Sequence, residues 1–253
     1  MRQDAGQKMV QTIIYLILLI LILLVIFALF YWVYFYINCY YGFWSQDGII
    51  RNSRRSRSNV AITFDDGPSE YTEKILDVLK KKKAKATFFL VGKNMEKYPE
   101  IAKRIVREGH EIGSHSYEHI QLFPRTAKTL VGQIEKNESI IKKITGKKPK
   151  YFRPPRGTYD QKLRRILVSR GYKIILWTIS SQDWRNPGTE QIVSRATNEL
   201  RNGDIILFHD GIIYPWGTSR QQTIDALPEV IDEIKRKKLK PVKLSELLNE
   251  RKK

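Results

Sequence analysis

Two different patterns of apolar residues divide this chain. From Ile13 to Ile37 every residue is apolar or aromatic and none is charged. At roughly 1.5 Å per residue such a run crosses a hydrocarbon core of roughly 30 Å, so residues 13–37 are expected to form a transmembrane helix behind a short tail, residues 1–12. A cleaved signal peptide competes, but its apolar region is roughly 7–15 residues and ends at small residues. Here Tyr34 to Tyr41 is aromatic-rich, and Tyr31, Trp32, Tyr34, Tyr36, Tyr40 and Tyr41 suit an interfacial belt. Residues 38–58 then read as a membrane-proximal polar and basic linker, with Ser53 to Ser58 too polar to bury.

Beyond residue 59 the apolar runs shorten and alternate in period. Val60 to Phe64 is a strand-length run, and Tyr71 to Lys82 follows with Ile75, Leu76, Val78 and Leu79 at helical spacing behind a candidate cap, Ser69. The alternation predicts strands at 86–91, 111–114, 151–153, 173–177 and 204–208, and helices at 99–108, 126–144, 160–170, 189–201 and 223–237. A last short pair spans Pro241 to Asn249. About seven such units imply a parallel sheet covered by helices. Asp65, Asp66, His115, His119, Arg153, Asp183 and His209 all fall at or just beyond strand C-terminal ends. Those ends converge in a barrel, whereas an open sheet gathers ligands at a switch point. The expected fold is therefore an irregular (β/α)7 barrel, residues 59–253, preceded by one N-terminal transmembrane helix.

Composition adds a partner class. The net charge is +19, and most of it falls in residues 59–253, which points to a polyanionic surface. No aromatic-interleaved basic motif or zinc-finger spacing supports nucleic acid, and the apolar helix favours cell wall or anionic lipid. No obligate protein partner is indicated. Arg51, Arg54, Arg55 and Arg57 after the helix outnumber Arg2 and Lys8 before it. Taken alone, that places the domain inside; long translocated domains override the bias, and a cell-membrane, single-pass protein with an extracellular catalytic domain is expected despite the count. Cys39 is the only cysteine, which excludes an intramolecular disulfide and a cysteine-based metal cage.

The chemistry-bearing residues come in clusters. Asp65 and Asp66 are adjacent carboxylates at a strand end, where neighbours point apart and can take different roles, one binding metal while the other accepts a proton; alone, the pair also reads as a helix-entry turn. His115-Ser116-Tyr117-Glu118-His119 places two imidazoles four residues apart, which a helical turn brings to one side at metal-binding distance. Two histidines and a carboxylate suit one divalent metal ion, zinc first, with cobalt or another ion as alternatives. The same five residues match the signature of inverted zinc peptidases, with Glu118 as base and Glu190 or Glu199 as third ligand. His110, on the approach to a strand, reads as structural.

Thr-Phe-Asp-Asp-Gly from Thr63, His-Ser-x-x-His from His115, Arg-Pro-Pro-x-Gly from Arg153, Asp-Trp from Asp183 and Leu-x-His from Leu207 occur in that order. Together they resemble the five motifs of the polysaccharide deacetylase family, carbohydrate esterase family 4, over residues 60–209. The resemblance implies a distorted barrel that hydrolyses N-acetyl groups of chitin-like or peptidoglycan sugars with one divalent metal. By resemblance, Asp65 is the catalytic base, and Asp66, His115 and His119 hold the metal. The backbone N–H of Arg156 serves the oxyanion, and His209 protonates the leaving amine. Asp183 keeps His209 charged, Arg153 orients Asp65, and Trp184 and Leu207 line an acetyl-methyl pocket, for which ordinary core packing is the plain alternative.

Two positions depart from the family pattern. Arg156 stands where a tyrosine is common, so only its backbone role carries over, while its side chain could meet a carboxylated substrate. Ser180 replaces the first aspartate of the fuller Asp-x-x-Asp-Trp form. The leading expectation is a membrane-anchored N-deacetylase of an amino-sugar polysaccharide, peptidoglycan or another cell-wall glycan. The alternatives are the zinc peptidase and a catalytically silent, membrane-tethered glycan-binding protein.

Overall fold

The computed structural model of the chain describes residues 2–41, 48–53, 58–213 and 219–248. Arg54, Arg55, Ser56 and Arg57 of the expected linker, Asn249 of the last expected helix, and the side chains of Arg2, Lys8, Tyr36, Cys39, Tyr40 and Tyr41 lie outside the described part. The chain divides into two units, Met1–Gln46 and Asp47–Lys253.

The first unit is helix α1, Arg2–Tyr41. Its segment Met9–Phe35 is 27 residues long, has a mean hydropathy of 3.5 and buries none of its apolar surface in the protein. By length and composition it is the one helix among the described residues able to cross a membrane.

The second unit is a curled parallel sheet with helices packed on its outer face. Strand β1 (Ile49–Ile50) precedes β2 (Asn59–Asp65), helix α2 (Glu70–Lys81), β3 (Thr87–Leu90), α3 (Gly92–Lys97), α4 (Pro99–Arg107) and β4 (Glu111–Ser114). Then follow α5 (Ala127–Thr145), β5 (Tyr151–Phe152), α6 (Gln161–Ser169), β6 (Lys173–Ile175), β7 (Ile179–Ser180) and α7 (Thr189–Thr197). The last elements are β8 (Ile205–His209), α8 (Gln221–Arg236), β9 (Lys240–Val242) and α9 (Leu244–Leu247). The strand order is β1-β6-β5-β4-β3-β2-β8-β7, with β9 beside the start of β2. All ladders are parallel. No ladder joins the two edge strands, β7 and β1, among the described residues, so the barrel is incompletely closed. The expected irregular barrel is what the chain forms.

Side-chain alternation along β2 explains how the sheet builds a site. Val60, Ile62 and Phe64 point outward into the main core, where Phe64 stacks on Phe88 with ring centres 5.1 Å apart. Ala61, Thr63 and Asp65 therefore point inward. In the β2–β8 register Ala61 faces Ile205, Thr63 faces Leu207 and Asp65 faces His209. The interior is apolar at the bottom, where Ala61, Phe89, Tyr151, Ile175 and Ile205 meet Leu244 and Leu247 of α9. It becomes polar only in the top layer.

Three local expectations need correction. The span read as linker contains β1, which pairs Ile49 with Ile174 and Ile50 with Ile175; two isoleucines are too short a run to signal a strand on their own. Helix α3 was not expected. It starts at Gly92, where a Cβ would sit 2.4 Å from the Tyr117 ring, and Pro99, lacking an N–H, starts α4 in its place. The third correction concerns the histidine pair: residues 115–120 form a loop, in which Ser116 (φ 67°) and His119 (φ 54°) are left-handed. A reversal of the chain, not a helical turn, brings the imidazoles together.

Candidate metal centre and active site

Asp66 follows β2 directly and adopts a left-handed φ of 82°, a conformation that Asp tolerates better than most residues. This turns its carboxylate away from that of Asp65. Asn94 of α3 fixes the turn by donating to the Asp66 carbonyl at 2.7 Å. From β4, His115 brings Nε2 to 3.5 Å from Asp66 Oδ1, and His119 brings Nε2 to 3.2 Å from the same oxygen. One ligand atom from each of the three residues lies within 4.8 Å of the others, and all three side chains are buried.

This donor set fits a divalent cation. His115 Nδ1 lies 2.7 Å from the Arg153 carbonyl, which can only accept, so Nδ1 carries the hydrogen and the Nε2 lone pair faces the cluster. Burial pushes His119 down to about 4, against the pull of the Asp66 charge, so it too presents a lone pair at neutral pH. Burial would raise the Asp66 carboxyl, but its interactions with His115, His119 and His209 hold it well below the usual carboxylate range. Two lone pairs facing a carboxylate repel unless a cation lies between them. His115, His119 and Asp66 are the residues that would hold it.

Arg153 sits immediately after β5 and is completely buried. Its Nη1 donates to Asp65 Oδ1 at 2.7 Å and to Thr63 Oγ1 at 2.8 Å. Nε and Nη2 donate to the carbonyls of Ile175 and Leu176 at 3.3 Å each, and the guanidinium lies 4.1 Å over the Phe89 ring. A buried charge is tolerated only when paired and hydrogen-bonded in this way. Asp65 is thereby fixed on one oxygen, and its other, Oδ2, points to His115 Nε2 at 3.7 Å.

His209 ends β8 across from Asp65. Its Nδ1 is 2.8 Å from Asp183 Oδ1, while the His209 backbone N–H and Thr223 Oγ1 donate to Asp183 Oδ2 at 2.8 and 2.9 Å. Burial alone would lower the imidazolium, but the Asp183 charge and hydrogen bond, with Asp66 and Asp65 behind them, raise it to about 9. Trp184 stands edge-on to His209 with ring centres 5.2 Å apart. Leu207, one inward position below His209, is buried. Arg156 has a left-handed φ of 59°; its side chain is exposed and donates to Gln121 Oε1 at 3.1 Å.

All of Asp65, Asp66, His115, His119, Arg153, Asp183 and His209 thus meet at strand C-terminal ends. Glu118 does not join them: it is exposed, pairs with Lys93 at 2.6 Å and accepts from Gln133 at 2.7 Å. Glu190 and Glu199 are exposed, outside the three-residue cluster. His110 is buried and accepts from the Ala86 N–H at 3.2 Å, as a structural histidine does.

One residue at the site escaped notice in the sequence. Asp210 is fully buried, accepts from Gly67 N at 3.0 Å and from Thr72 Oγ1 at 2.6 Å, and its carbonyl accepts from Ser69 Oγ. Burial pushes its carboxyl up to about 7. It ties the loop carrying Asp66, and the start of α2, to the end of β8. Asp210-Gly211 reads in the sequence as an ordinary turn, so only the fold reveals this.

Known proteins resemble this arrangement. A family model described as polysaccharide deacetylase matches residues 52–175. A peptidoglycan-N-acetylglucosamine deacetylase of Bacillus cereus is 38% identical over 192 residues, which is 75% of this chain and 87% of the relative. The peptidoglycan-N-acetylmuramic acid deacetylase PdaC of Bacillus subtilis is 38% identical over 69% of this chain and 35% of its own length. The crystal structure of a peptidoglycan N-acetylglucosamine deacetylase superposes with a TM-score of 0.77 at 35% identity, covering 81% of this chain and 95% of that one.

Proposed function

Since the chain belongs to the polysaccharide deacetylase family, carbohydrate esterase family 4, and is a polysaccharide deacetylase, we propose that it removes N-acetyl groups from peptidoglycan N-acetylglucosamine while anchored to the cell membrane. The sugar follows the relatives named above. The anchor is Met9–Phe35, with the catalytic unit extracellular. Within the domain scheme, residues 13–37 are the membrane helix and residues 59–253 the catalytic domain, whose sheet also takes up β1 from the span between them.

The observation that carries the mechanism is the pairing of Asp65 with His209 in the β2–β8 register, which sets a base and an acid on adjacent strand ends beside the donor cluster. Asp65, oriented by Arg153, accepts the proton of the attacking water. The amide oxygen takes up negative charge, for which the family resemblance assigns the Arg156 backbone N–H as donor; one such donor contributes roughly 3 kcal/mol in comparable sites. His209, kept protonated by Asp183, delivers a proton to the amine as the C–N bond breaks, leaving acetate and a free amino sugar. Trp184 and Leu207 border the acetyl methyl. A divalent ion held by Asp66, His115 and His119, zinc by the nitrogen-rich donor set, supplies Lewis-acid polarisation and lowers the pKa of water when bound.

Acetate release from peptidoglycan and from chitooligosaccharide tests this directly. Activity should vanish on chelation, return with zinc or cobalt, and vanish again in Asp65→Asn. Glu118→Ala should leave most of it, because Glu118 is held by Lys93 and Gln133. If Glu118→Ala alone eliminates turnover, the peptidase chemistry is right and the roles assigned to Asp65 and His209 are wrong.

A further inference from the structure

Two lysine-rich connections lie side by side at one pole of the catalytic unit. In a parallel barrel every helix-to-strand connection lies at the N-terminal ends of the strands, opposite the mouth that carries the site. The connection after α2 runs Lys-Lys-Lys-Lys-Ala-Lys over residues 80–85, and that after α8 runs Lys-Arg-Lys-Lys-Leu-Lys over residues 235–240. The two abut, with Lys235 Nζ donating to the Lys82 carbonyl at 2.7 Å. Lys81, Lys83, Lys237 and Lys238 are exposed and make no ion pair among the described residues. The connection after α5 adds Lys147 and Lys150 on the same side.

Lysines at helix C-termini complement the helix dipole, and that explains Lys80 and Lys81. It does not explain Lys83, Lys85, Lys238 and Lys240, which lie beyond the ends of α2 and α8. The acid in the connection after α4, Glu108, is occupied by Arg104 at 2.6 Å. Within the basic runs Lys82 pairs with Asp232 at 2.5 Å and Arg236 with Glu233 at 2.6 Å, which leaves the four exposed lysines named above as the unpaired charge; at the opposite pole Lys93 pairs with Glu118.

The chain also joins the catalytic unit at this basic pole. Gly48 O accepts from Ile174 N at the start of β6, Ser53 N donates to Gly203 O ahead of β8, and Ser58 O accepts from Lys240 N. Gly48, Ser53 and Ser58 therefore lie at the pole of this unit that carries the unpaired lysines. We propose that this pole docks on the headgroups of an anionic lipid bilayer, leaving the strand-end mouth facing away from the lipid. Unpaired surface lysines gain most from such a surface potential and lose it to salt. The choice of lipid over wall polymer rests on the membrane-anchored reading.

Amide hydrogen exchange on the full chain, in nanodiscs of phosphatidylcholine alone or with phosphatidylglycerol, tests the docking. Residues 80–85 and 235–240 should exchange at least tenfold more slowly in the anionic discs, and the protection should disappear in high salt. A variant carrying Lys81→Gln, Lys83→Gln, Lys237→Gln and Lys238→Gln should lose it while releasing acetate from a soluble chitooligosaccharide at the unchanged rate. Equal exchange in the two lipids overturns the proposal, as does protection conferred by an anionic phosphodiester wall polymer but not by lipid. A chain that stays out of the discs overturns the anchor alone; added to preformed anionic vesicles, it still reports on the pole. Loss of acetate release from the unaltered chain would count against the deacetylase mechanism and not against docking.

Discussion

Arg153 and His209 illustrate how single residues acquire function from their surroundings. Arg153 satisfies its donors on Asp65, Thr63 and two carbonyls, so it can hold the Asp65 side chain in one orientation without access to water. His209 is the more testable case. Its raised value, about 9, comes from Asp183 overcoming burial, so it remains an acid through neutral pH and fails as pH rises past that value. In Asp183→Asn burial acts unopposed by that partner, and the alkaline limb of kcat should move at least two pH units toward acid. At pH 8 a displacement of two pH units leaves only about a tenth of His209 protonated, so the loss there should be at least about tenfold. A bound metal lowers His209 in both proteins, so the difference between profiles is the measurement; coincident alkaline limbs would refute the proton-donor role. The sign for stability agrees. A histidine raised from 6.5 stabilises the metal-free fold fully below about 6.5, and this contribution is lost as pH rises through about 9.

At the scale of elements, the loop between β2 and α2 matters most, because it carries Asp66 and is held from outside by β8. Ser69 caps α2 through the Tyr71 N–H, and Thr72 completes a capping box, but Asp210 decides where that helix start sits. A Cβ on Gly67 would lie 2.1 Å from Asp210 Oδ2. Gly67→Ala should therefore displace the carboxylate, and Asp210→Ala should leave the Gly67 N–H and Thr72 hydroxyl unsatisfied, each costing about 1–3 kcal/mol. Because both break one clamp, the double variant should cost little more than the larger single one when unfolded by urea in chelator. Strict additivity would show that Asp210 does not act through this loop. Much of this level was legible: Ser69 was recognisable as a cap, and the strand β4 and helix α5 fall where periodicity placed them. What periodicity missed, β1, β7 and α3, are elements of two, two and six residues, too short to show a period and formed because neighbours complete them.

For the whole molecule, the helix is apolar enough to cross a membrane, while the family's substrate is a polymeric, water-borne glycan. If the catalytic unit is extracellular, protease added to intact cells should degrade it and leave the helix; full protection would place it inside and refute the surface-glycan reading. The sequence by itself determined the apolar span, the strand–helix alternation and the list of chemical groups, because hydrophobic period and residue type are local properties. It also placed those groups at strand ends, since strand length is legible in apolar runs. Only the tertiary structure decided that His115 and His119 meet through two left-handed residues, that Asp210 is part of the site, and that Glu118 is not. The same is true of the lysines, scattered through the sequence in separate connections and gathered at one pole. Contacts between residues distant in sequence depend on how strands are ordered and curled, and that order arises from packing the whole core at once rather than from any single stretch of chain.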